Sequence, residues 1–546
     1  MTRPPSRPSR WWALALAGAL ALGPPPLAAQ VRLPSLGDAD ADAFSVGTER
    51  GFGEQIMREV RRDPDYLDDP VLLDYVRGIW GRLLKAAQQR GEIPPENASL
   101  LAWEVFLVRD RSINAFALPG GFVGVNLGLI AATGSADELA AVMAHELTHV
   151  TQRHIARSIA NTQRVSMLSL AGLILGMLAA SKAGSSDAAQ AVIAGTQAAS
   201  MQGMLNYSRD MEREADRVGF GVLGDAGFAP SGMAAMFERL ETASRLNDSG
   251  AFPYLRTHPL TVDRISEARA RTLQSGPGKA GDPLLHQLMS ARARVLMDTS
   301  PPNLRKLQDR LADPAALAAM GPTERLATLY AGGLAAKLLG DPAAAEAAGA
   351  QALQQLQAKA QPTAGTRAAE AAFVLLRADA LVQHGKPAQA LAALAALPAP
   401  AAPDAVSRPV LLARGDAALA LGRADPPAAA AELQRSSEAL RSWVALHPAD
   451  PLAWELLGQI DEALGRRLRA MRAQAEARAA LGDLTGAIDR LRAAQALARG
   501  GSANDFIEAS VIDARLRQLQ NQRRQLQAEL RTRPGQPRPD DRDSQD

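Results

Sequence analysis

The chain has 546 residues, of which 47% are hydrophobic and 22% are charged, and its formal net charge is +2. This length exceeds what one hydrophobic core holds, and the composition is that of a folded protein, so extensive disorder is excluded. The nearly balanced charge gives no support for a nucleic-acid partner. Because the chain has no cysteine, thiol catalysis, disulfides and thiolate metal sites are excluded.

The first thirty residues have the pattern of a secretory signal peptide. Three arginines precede an apolar run from Trp11 to Leu22, and a Pro-rich break then leads to small residues ending at Ala29. This order predicts a signal peptide over 1–29 and export of the mature chain. A short membrane anchor is the alternative, which the brevity of the apolar run disfavours.

The stretch AVMAHELTHVTQRH contains a candidate metal motif. His145 and His149 are four residues apart, so on a helix both side chains face the same side and can share one metal ion. Glu146 borders that side, where it can take a proton from a water molecule at the metal. Ser135 and Glu138 have the spacing of a capping box, which predicts that the helix begins there. A buried helix that merely contains histidines is the alternative.

His154 is the third histidine of this stretch. It lies five residues after His149, which corresponds to about 140° around a continuing helix. We therefore interpret His154 as a surface residue or as a residue behind the ligands, and not as a ligand. Gln152 also stands where a metzincin would have the glycine that turns the chain back.

A carboxylate on a second helix is the expected third ligand. Glu212 is the first glutamate after the motif, and Asp216 lies four residues later on the same helical face. Glu212 can bind the metal while Asp216 accepts the ring N–H of a ligand histidine. Glu214 is rotated away from that face. The alternative is a solvated helix with acids at this spacing, which the preceding HELTH motif disfavours.

The segment 165–181 is apolar enough to suggest a membrane span. It is short for a bilayer and no charge asymmetry frames it, so a buried or lid helix is favoured, with contact to a membrane surface as a further option.

From about residue 286 the chain becomes rich in Ala, Leu and Arg. Breaks at Gly340, Gly385, Gly422 and Gly482 separate helical segments, which predicts helix pairs joined by short turns. DPLAWELLGQ has the W-x-x-L-G order of a tetratricopeptide repeat, so stacked repeats are predicted over 286–530, with an unspecific Ala-rich bundle as the alternative. The tail over 531–546 is rich in proline and charge and is predicted to be disordered.

Four motifs resemble the HtpX-type zinc peptidases: SINAFALPGG, HELTHVTQRH, EREADRVG and THPLTVDRI occur here in that family's order. With a signal peptide before them and repeats after them, the whole chain is similar to the BepA-like periplasmic protease–chaperones. The resemblance implies a mainly α protein with a zincin-type α+β peptidase domain over 30–285, followed by the helical repeat solenoid.

The resemblance also implies roles for single residues. One Zn²⁺ per chain would be bound by His145, His149 and Glu212, with Glu146 as general base and Asp216 behind the ligands. His258 would act as a regulatory fourth ligand and Arg264 would stabilise the oxyanion, although a loop histidine before proline is the plain alternative for His258. An active-site edge strand would contain Asn114, Ala115, Phe116 and Ala117; an ordinary strand before a Pro-Gly-Gly turn is the alternative.

The function expected from this resemblance is hydrolysis of misassembled outer-membrane proteins in the periplasm, with chaperone-like assembly activity. The repeat domain would contact the assembly machinery, and peripheral contact with the outer membrane is also expected. A latent or non-proteolytic chaperone is the alternative. A scaffold with a decayed enzyme half is a weaker alternative, because both metal motifs are intact.

Overall fold

The computed structural model describes residues 45–161, 209–246, 253–276, 278, 281–357, 363–398, 407–498 and 505–531. The predicted signal peptide, the apolar segment 165–181 and nearly all of the tail lie outside these residues. Among the described helices, each is either too short or too polar to cross a membrane.

The first half consists of helices around a small sheet, as the sequence predicts. Its elements are α1 (Val46–Val60), β1 (Tyr66–Leu67), α2 (Pro70–Gln89), α3 (Pro95–Ala98), β2 (Glu104–Val108), β3 (Ala115–Leu118), β4 (Phe122–Asn126), α4 (Leu127–Ala132), α5 (Ala136–Thr151), α6 (His154–Asn161), α7 (Arg209–Asp225), α8 (Ser231–Leu246), α9 (Pro253–Thr257) and α10 (Val262–Ser275).

The four strands form one mixed sheet in the order β1-β2-β4-β3. β2 runs parallel to β4, and β3 pairs antiparallel with β4, Ala117 lying opposite Val123. β4 is buried at every position because it is central and covered by helices, whereas β3 lies at the edge of the sheet. Among the described residues, one side of β3 therefore has no strand paired with it, and this side lies next to α5.

Helix α5 carries the HELTH motif and begins where the sequence predicts. The Ser135 hydroxyl accepts a hydrogen bond from the Glu138 N–H at 3.2 Å. The reciprocal half of the capping box is absent, because the Glu138 carboxylate accepts from the Gly134 N–H at 2.7 Å and pairs with Arg239. All residues from Asp137 to Val150 are buried, so α5 is the central helix of this half.

The turn after β3 is held by close contact with α1. A Cβ atom added to Gly53 would lie 2.0 Å from the carbonyl oxygen of Pro119. We expect Gly53→Ala to destabilise the protein by about 1–3 kcal/mol, because the backbone of the turn must move to accommodate the methyl group. Urea-induced unfolding measures this change.

Gly51 on the same helix is the matched control, because an added Cβ would meet no atom within 4 Å. Gly51→Ala should leave stability unchanged or raise it by up to about 1 kcal/mol, since glycine weakens a helix interior. Equal effects of the two substitutions would contradict the proposed contact.

The second half is entirely helical among the described residues. Its helices are α11 (Pro283–Met297), α12 (Pro301–Asp309), α13 (Pro314–Ala319), α14 (Pro322–Leu338), α15 (Pro342–Gln357), α16 (Ala364–Gln383), α17 (Pro387–Ala395), α18 (Arg408–Ala424), α19 (Pro426–Leu446), α20 (Pro451–Ala463), α21 (Arg467–Ala480), α22 (Leu484–Ala498) and α23 (Asp505–Arg531), with a 3₁₀ turn at Arg310–Ala312. The predicted fold class, a mainly helical domain with a small sheet followed by a helical region, is confirmed.

All four predicted breaks contain a helix end. Gly340, Gly385 and Gly482 each adopt a positive φ, between 72° and 81°, one residue after a helix C-cap. In the fourth break, GRADP, Gly422 still lies inside α18, and the helix ends before Asp425, whose side chain caps α19. One glycine within a helix costs only about 1 kcal/mol, so Gly422 does not end α18 by itself.

The W-x-x-L-G segment forms a tight helix pair. Trp454 and Leu457 are buried, and a Cβ atom on Gly458 would lie 3.0 Å from the Gln474 side chain. The small residue therefore lets α20 and α21 approach closely, as a repeat helix pair requires. Assignment of the whole region as tetratricopeptide repeats stays a prediction.

Two adjacent aspartates connect the halves of the protein. Asp69 caps α2 and receives two hydrogen bonds of 2.7 Å from Arg292 of α11. Asp68 receives two of 2.7 Å from Arg408, whose guanidinium also binds Asp450 at the start of α20. Arg408 is 3% exposed, so this network is a buried link between the sheet-containing half and the helical half.

Candidate active site

Two helices cross closely to form the site. A Cβ atom on Gly219 of α7 would lie 3.1 Å from the carbonyl oxygen of Ala144 in α5, which is a tight contact. The glycine that ends the EREADRVG motif thus allows the helices to approach. Glu212, about two turns earlier on α7, is thereby placed against the HELTH face of α5.

The residues predicted as metal ligands lie together. His145, His149, Glu212 and His258 each offer a ligand atom, and these atoms all lie within 4.8 Å of one another. The Nε2 atoms of His145 and His149 are 2.9 Å apart, and Glu212 Oε1 lies 3.4 Å from His149 Nε2. His258 Nδ1 lies 2.9 Å from Glu212 Oε1 and 3.3 Å from His145 Nε2.

The electrostatics of the cluster favour a bound cation. Burial opposes charge on His145, but the Glu212 and Asp216 carboxylates raise the pKa of His145 to about 9. Burial would likewise raise the pKa of Glu212, yet His258 and His145 hold it far below its usual range. The cluster therefore attracts positive charge, as protons or as a metal ion. Three imidazoles and a carboxylate, without sulfur, match the ligand chemistry of Zn²⁺.

Glu146 lies between the cluster and the edge strand. Its Oε2 atom accepts a hydrogen bond from the Ala117 N–H of β3 at 3.1 Å. Its Oε1 atom is buried without a hydrogen-bond partner among the described residues, and His258 Nε2 lies 3.5 Å away. Burial raises the pKa of Glu146, opposed by the charges of His258 and His145. A carboxylate of raised basicity with one free oxygen has the properties of a general base.

Asp216 and Arg264 lie behind the ligands. Asp216 Oδ1 lies 2.9 Å from His145 Nδ1, the contact that the helical spacing predicts. Arg264 donates from Nε and Nη2 to Asp216 at 2.6 and 2.8 Å, and its Nη1 lies 2.8 Å from Glu212 Oε2. Arg264 is 4% exposed, and its Nη1 atom also donates a hydrogen bond to the Pro259 carbonyl oxygen at 2.9 Å. Its contacts are those of a residue that holds Glu212 and Asp216; the oxyanion role stays a prediction.

His154 lies behind the ligands, which is one of the two positions that the sequence interpretation allows. Helix α5 ends at Thr151, two residues after His149. Arg153 then has a φ of 51°, and a new helix, α6, begins at His154. This turn places the His154 ring at 0% exposure, with Nδ1 2.8 Å from His149 Nδ1. The surface alternative was therefore wrong, since the angle was calculated for an unbroken helix.

Two contacts of the site were not predicted. Glu214 points away from the cluster as expected, but its Oε2 atom lies 3.1 Å from His154 Nε2. The buried Tyr254 ring stacks on His258, with ring centroids 4.6 Å apart. The four-residue spacing of Tyr254 and His258 was the available signal, since it matches one helical turn.

Comparisons with known proteins agree with this geometry. Residues 82–272, which include α5, α7 and most of α10, match the model of peptidase family M48. The class of protein defined by fold and site is thus a metallopeptidase of that family.

Full-length relatives define the family more closely. The beta-barrel assembly-enhancing protease of Yersinia pestis is 32% identical over 502 residues, which are 90% of this chain and 92% of that protein. The protein of the same name from Escherichia coli K12 is 29% identical over 91% of this chain and 92% of its own length. A Vibrio cholerae relative is 39% identical over 49% of this chain and 52% of that protein. The chain belongs to the family of beta-barrel assembly-enhancing proteases, as the four motifs indicate.

Proposed function

We propose that the protein is a zinc-dependent endopeptidase that cleaves misassembled outer-membrane β-barrel proteins in the periplasm. The observation that carries this proposal is the convergence of His145, His149 and Glu212 beside Glu146, which itself contacts the edge strand. These three residues would hold one Zn²⁺, with Asp216 orienting His145.

The chemistry follows from these positions. Zinc bound there would polarise the scissile carbonyl and make water a stronger nucleophile. Glu146 removes the water proton through its free Oε1 atom and delivers it to the leaving amine. β3, which Asn114 directly precedes, binds an extended substrate through main-chain hydrogen bonds, so cleavage depends little on side-chain identity. Arg264 holds two carboxylates in place and can stabilise the developing oxyanion.

The names of the relatives support a role in β-barrel assembly. They describe proteases that enhance β-barrel assembly, and we extend this to the present chain. The helical half, predicted to form repeats, would contact the assembly machinery and could bring the protein to the outer membrane. The predicted signal peptide over 1–29 would deliver the chain to the periplasm.

A second function, a latent protease that acts mainly as a chaperone, is favoured by one observation. His258 lies among the ligands, 2.9 Å from Glu212 and 3.5 Å from Glu146, where it can take the position that a substrate or water needs. We expect His258→Ala to accelerate cleavage of a labelled, unfolded β-barrel protein. A latent-state preference of about 1.4 kcal/mol would give a tenfold gain. The zinc content of the same samples is determined by elemental analysis.

His384→Ala is the matched control, because His384 lies in the helical half and its side chain is 38% exposed. It should leave the rate unchanged. An inactive wild type that stays inactive as His258→Ala while retaining zinc would favour the pure chaperone. Absence of zinc from both proteins would contradict the proposed metal site.

A further inference from the structure

The turn between α5 and α6 brings a second histidine against His149. Arg153 takes the left-handed conformation at this turn, and its Nε atom lies 3.3 Å from Glu49 Oε2 of α1. A non-glycine residue in this conformation is costly by about 1 kcal/mol or more, so the surrounding contacts must hold it. The result is a buried His154 whose ring centroid lies 4.9 Å from that of His149.

A continuous line of polar contacts runs from the cluster outward. His149 faces the cluster with Nε2, and its Nδ1 atom lies 2.8 Å from Nδ1 of His154. The other nitrogen of His154, Nε2, lies 3.1 Å from Glu214 Oε2. Arg157 also donates to that carboxylate oxygen at 3.1 Å.

The positions of the protons follow from these distances. Of two ring nitrogens 2.8 Å apart, one must carry a proton and the other must accept it. If His149 Nε2 offers its lone pair to a metal, the ring proton lies on His149 Nδ1 and is donated to His154 Nδ1. His154 then carries its own proton on Nε2, which points at Glu214, an acceptor. Every atom in the line thus has the hydrogen-bonding role that a metal-binding His149 requires.

We propose that His154 and Glu214 are positioning residues for the metal site, fixing the tautomer and ring orientation of His149. Asp216 does the same for His145 directly, by a contact of 2.9 Å. The two ligand histidines would therefore be held differently, one by a carboxylate and the other by a carboxylate acting through an imidazole. This inference rests on the proposed zinc function. Partners of this kind typically change metal affinity by about 10–100-fold when they are removed.

The test measures zinc affinity by competition with a chromophoric chelator. His154→Phe fills the space but accepts no proton from His149, so zinc affinity should fall by about 10–100-fold. His154→Gln offers an amide oxygen and should recover part of this loss. Glu214→Gln keeps an acceptor for the His154 N–H but not the charge, so its loss should be smaller than that of His154→Phe. The Tm of the zinc-free protein is measured for each variant.

His286→Phe is the control for a merely structural role. His286 is buried like His154, and both ring nitrogens are engaged, by the Tyr75 hydroxyl at 2.7 Å and the Thr133 carbonyl at 2.9 Å. Its replacement should lower the zinc-free Tm without changing zinc affinity.

The proposal is overturned if His154→Phe and Glu214→Gln bind zinc as the wild type does. It is also overturned if the loss of zinc affinity in each variant merely follows the loss of its zinc-free Tm, because a structural defect would then explain both. Should His154→Phe fail to fold, His154→Gln and Glu214→Gln decide the question by the same criteria. A wild type that binds no zinc would contradict the proposed function itself, a result distinct from either of these.

Discussion

Replacement of Glu146 by glutamine is expected to abolish peptide hydrolysis while zinc stays bound. Glutamine has nearly the same shape, and its amide oxygen can still accept the Ala117 N–H that Glu146 accepts at 3.1 Å. It cannot take a proton from water, however. General-base catalysis contributes about 10²–10⁴-fold, so kcat/KM should fall by at least this factor, equivalent to about 3–5 kcal/mol. The measurement is cleavage of an unfolded β-barrel protein, with zinc determined on the same sample.

Glu238→Gln provides the matched control, since the Glu238 side chain is 46% exposed and pairs with Arg269 at 2.8 Å. This substitution should change neither activity nor zinc content. Full activity of Glu146→Gln would show that another group removes the proton. Loss of zinc from Glu146→Gln would instead mean that Glu146 is itself a ligand, contrary to the mechanism.

The second large effect concerns stability. Arg408→Met should destabilise the protein by about 3–5 kcal/mol, because it leaves two carboxylates in a buried network without their cation. Arg408 lies 2.7 Å from both Asp68 and Asp450, and although burial opposes it, Arg408 lowers the pKa of Asp450. Arg408→Lys keeps the charge but cannot bind both aspartates through paired N–H groups, so its effect should be smaller. Urea-induced unfolding followed by tryptophan fluorescence is suitable, because the Trp443 indole donates to Asp450.

The Asp450 carboxylate makes the free energy of unfolding depend on pH. Since the folded pKa of Asp450 is lowered, its contribution is complete above the unfolded pKa and is lost as the pH falls through the folded pKa. This contribution of Asp450 should be smaller in Arg408→Met, where only the Trp443 and Ala453 hydrogen bonds still lower the pKa of Asp450. Arg492→Met is the control, because the Arg492–Asp489 pair is exposed on α22 and such pairs contribute about 0–1 kcal/mol. Equal stability of Arg408→Met and Arg492→Met would contradict the role of the buried link.

The sequence allowed the metal cluster to be predicted because its rules are local. Residues four apart on a helix share a face, which relates His145 to His149 and Glu212 to Asp216. The absence of other glutamates between the motifs then left few choices for a third ligand. The family resemblance supplied His258, which no local rule selects.

The end of α5, the contact of His154 and the pairing of Arg408 could not be predicted, because they do not follow from local sequence patterns. The end of α5 at Thr151 has no glycine or proline to mark it, since Arg153 adopts the left-handed conformation. The contact of His154 with His149 could therefore not be predicted from periodicity. The pairing of Arg408 with Asp68 joins residues 340 positions apart. The sequence contains many other arginines and aspartates, and nothing in it indicates which of them pair.

The contact between Glu146 and β3 has a consequence for the order of events at the edge strand. Ala117 has a single N–H group, and this group donates its hydrogen bond to Glu146 Oε2. A carbonyl oxygen of an incoming strand that takes this N–H must displace the carboxylate, so the two acceptors compete for one donor. Strand pairing at Ala117 would then release Glu146 Oε2. Binding of a substrate strand to β3 and release of the Glu146 carboxylate from Ala117 are therefore linked equilibria. A peptide too short to pair with β3 would leave the carboxylate attached to the strand.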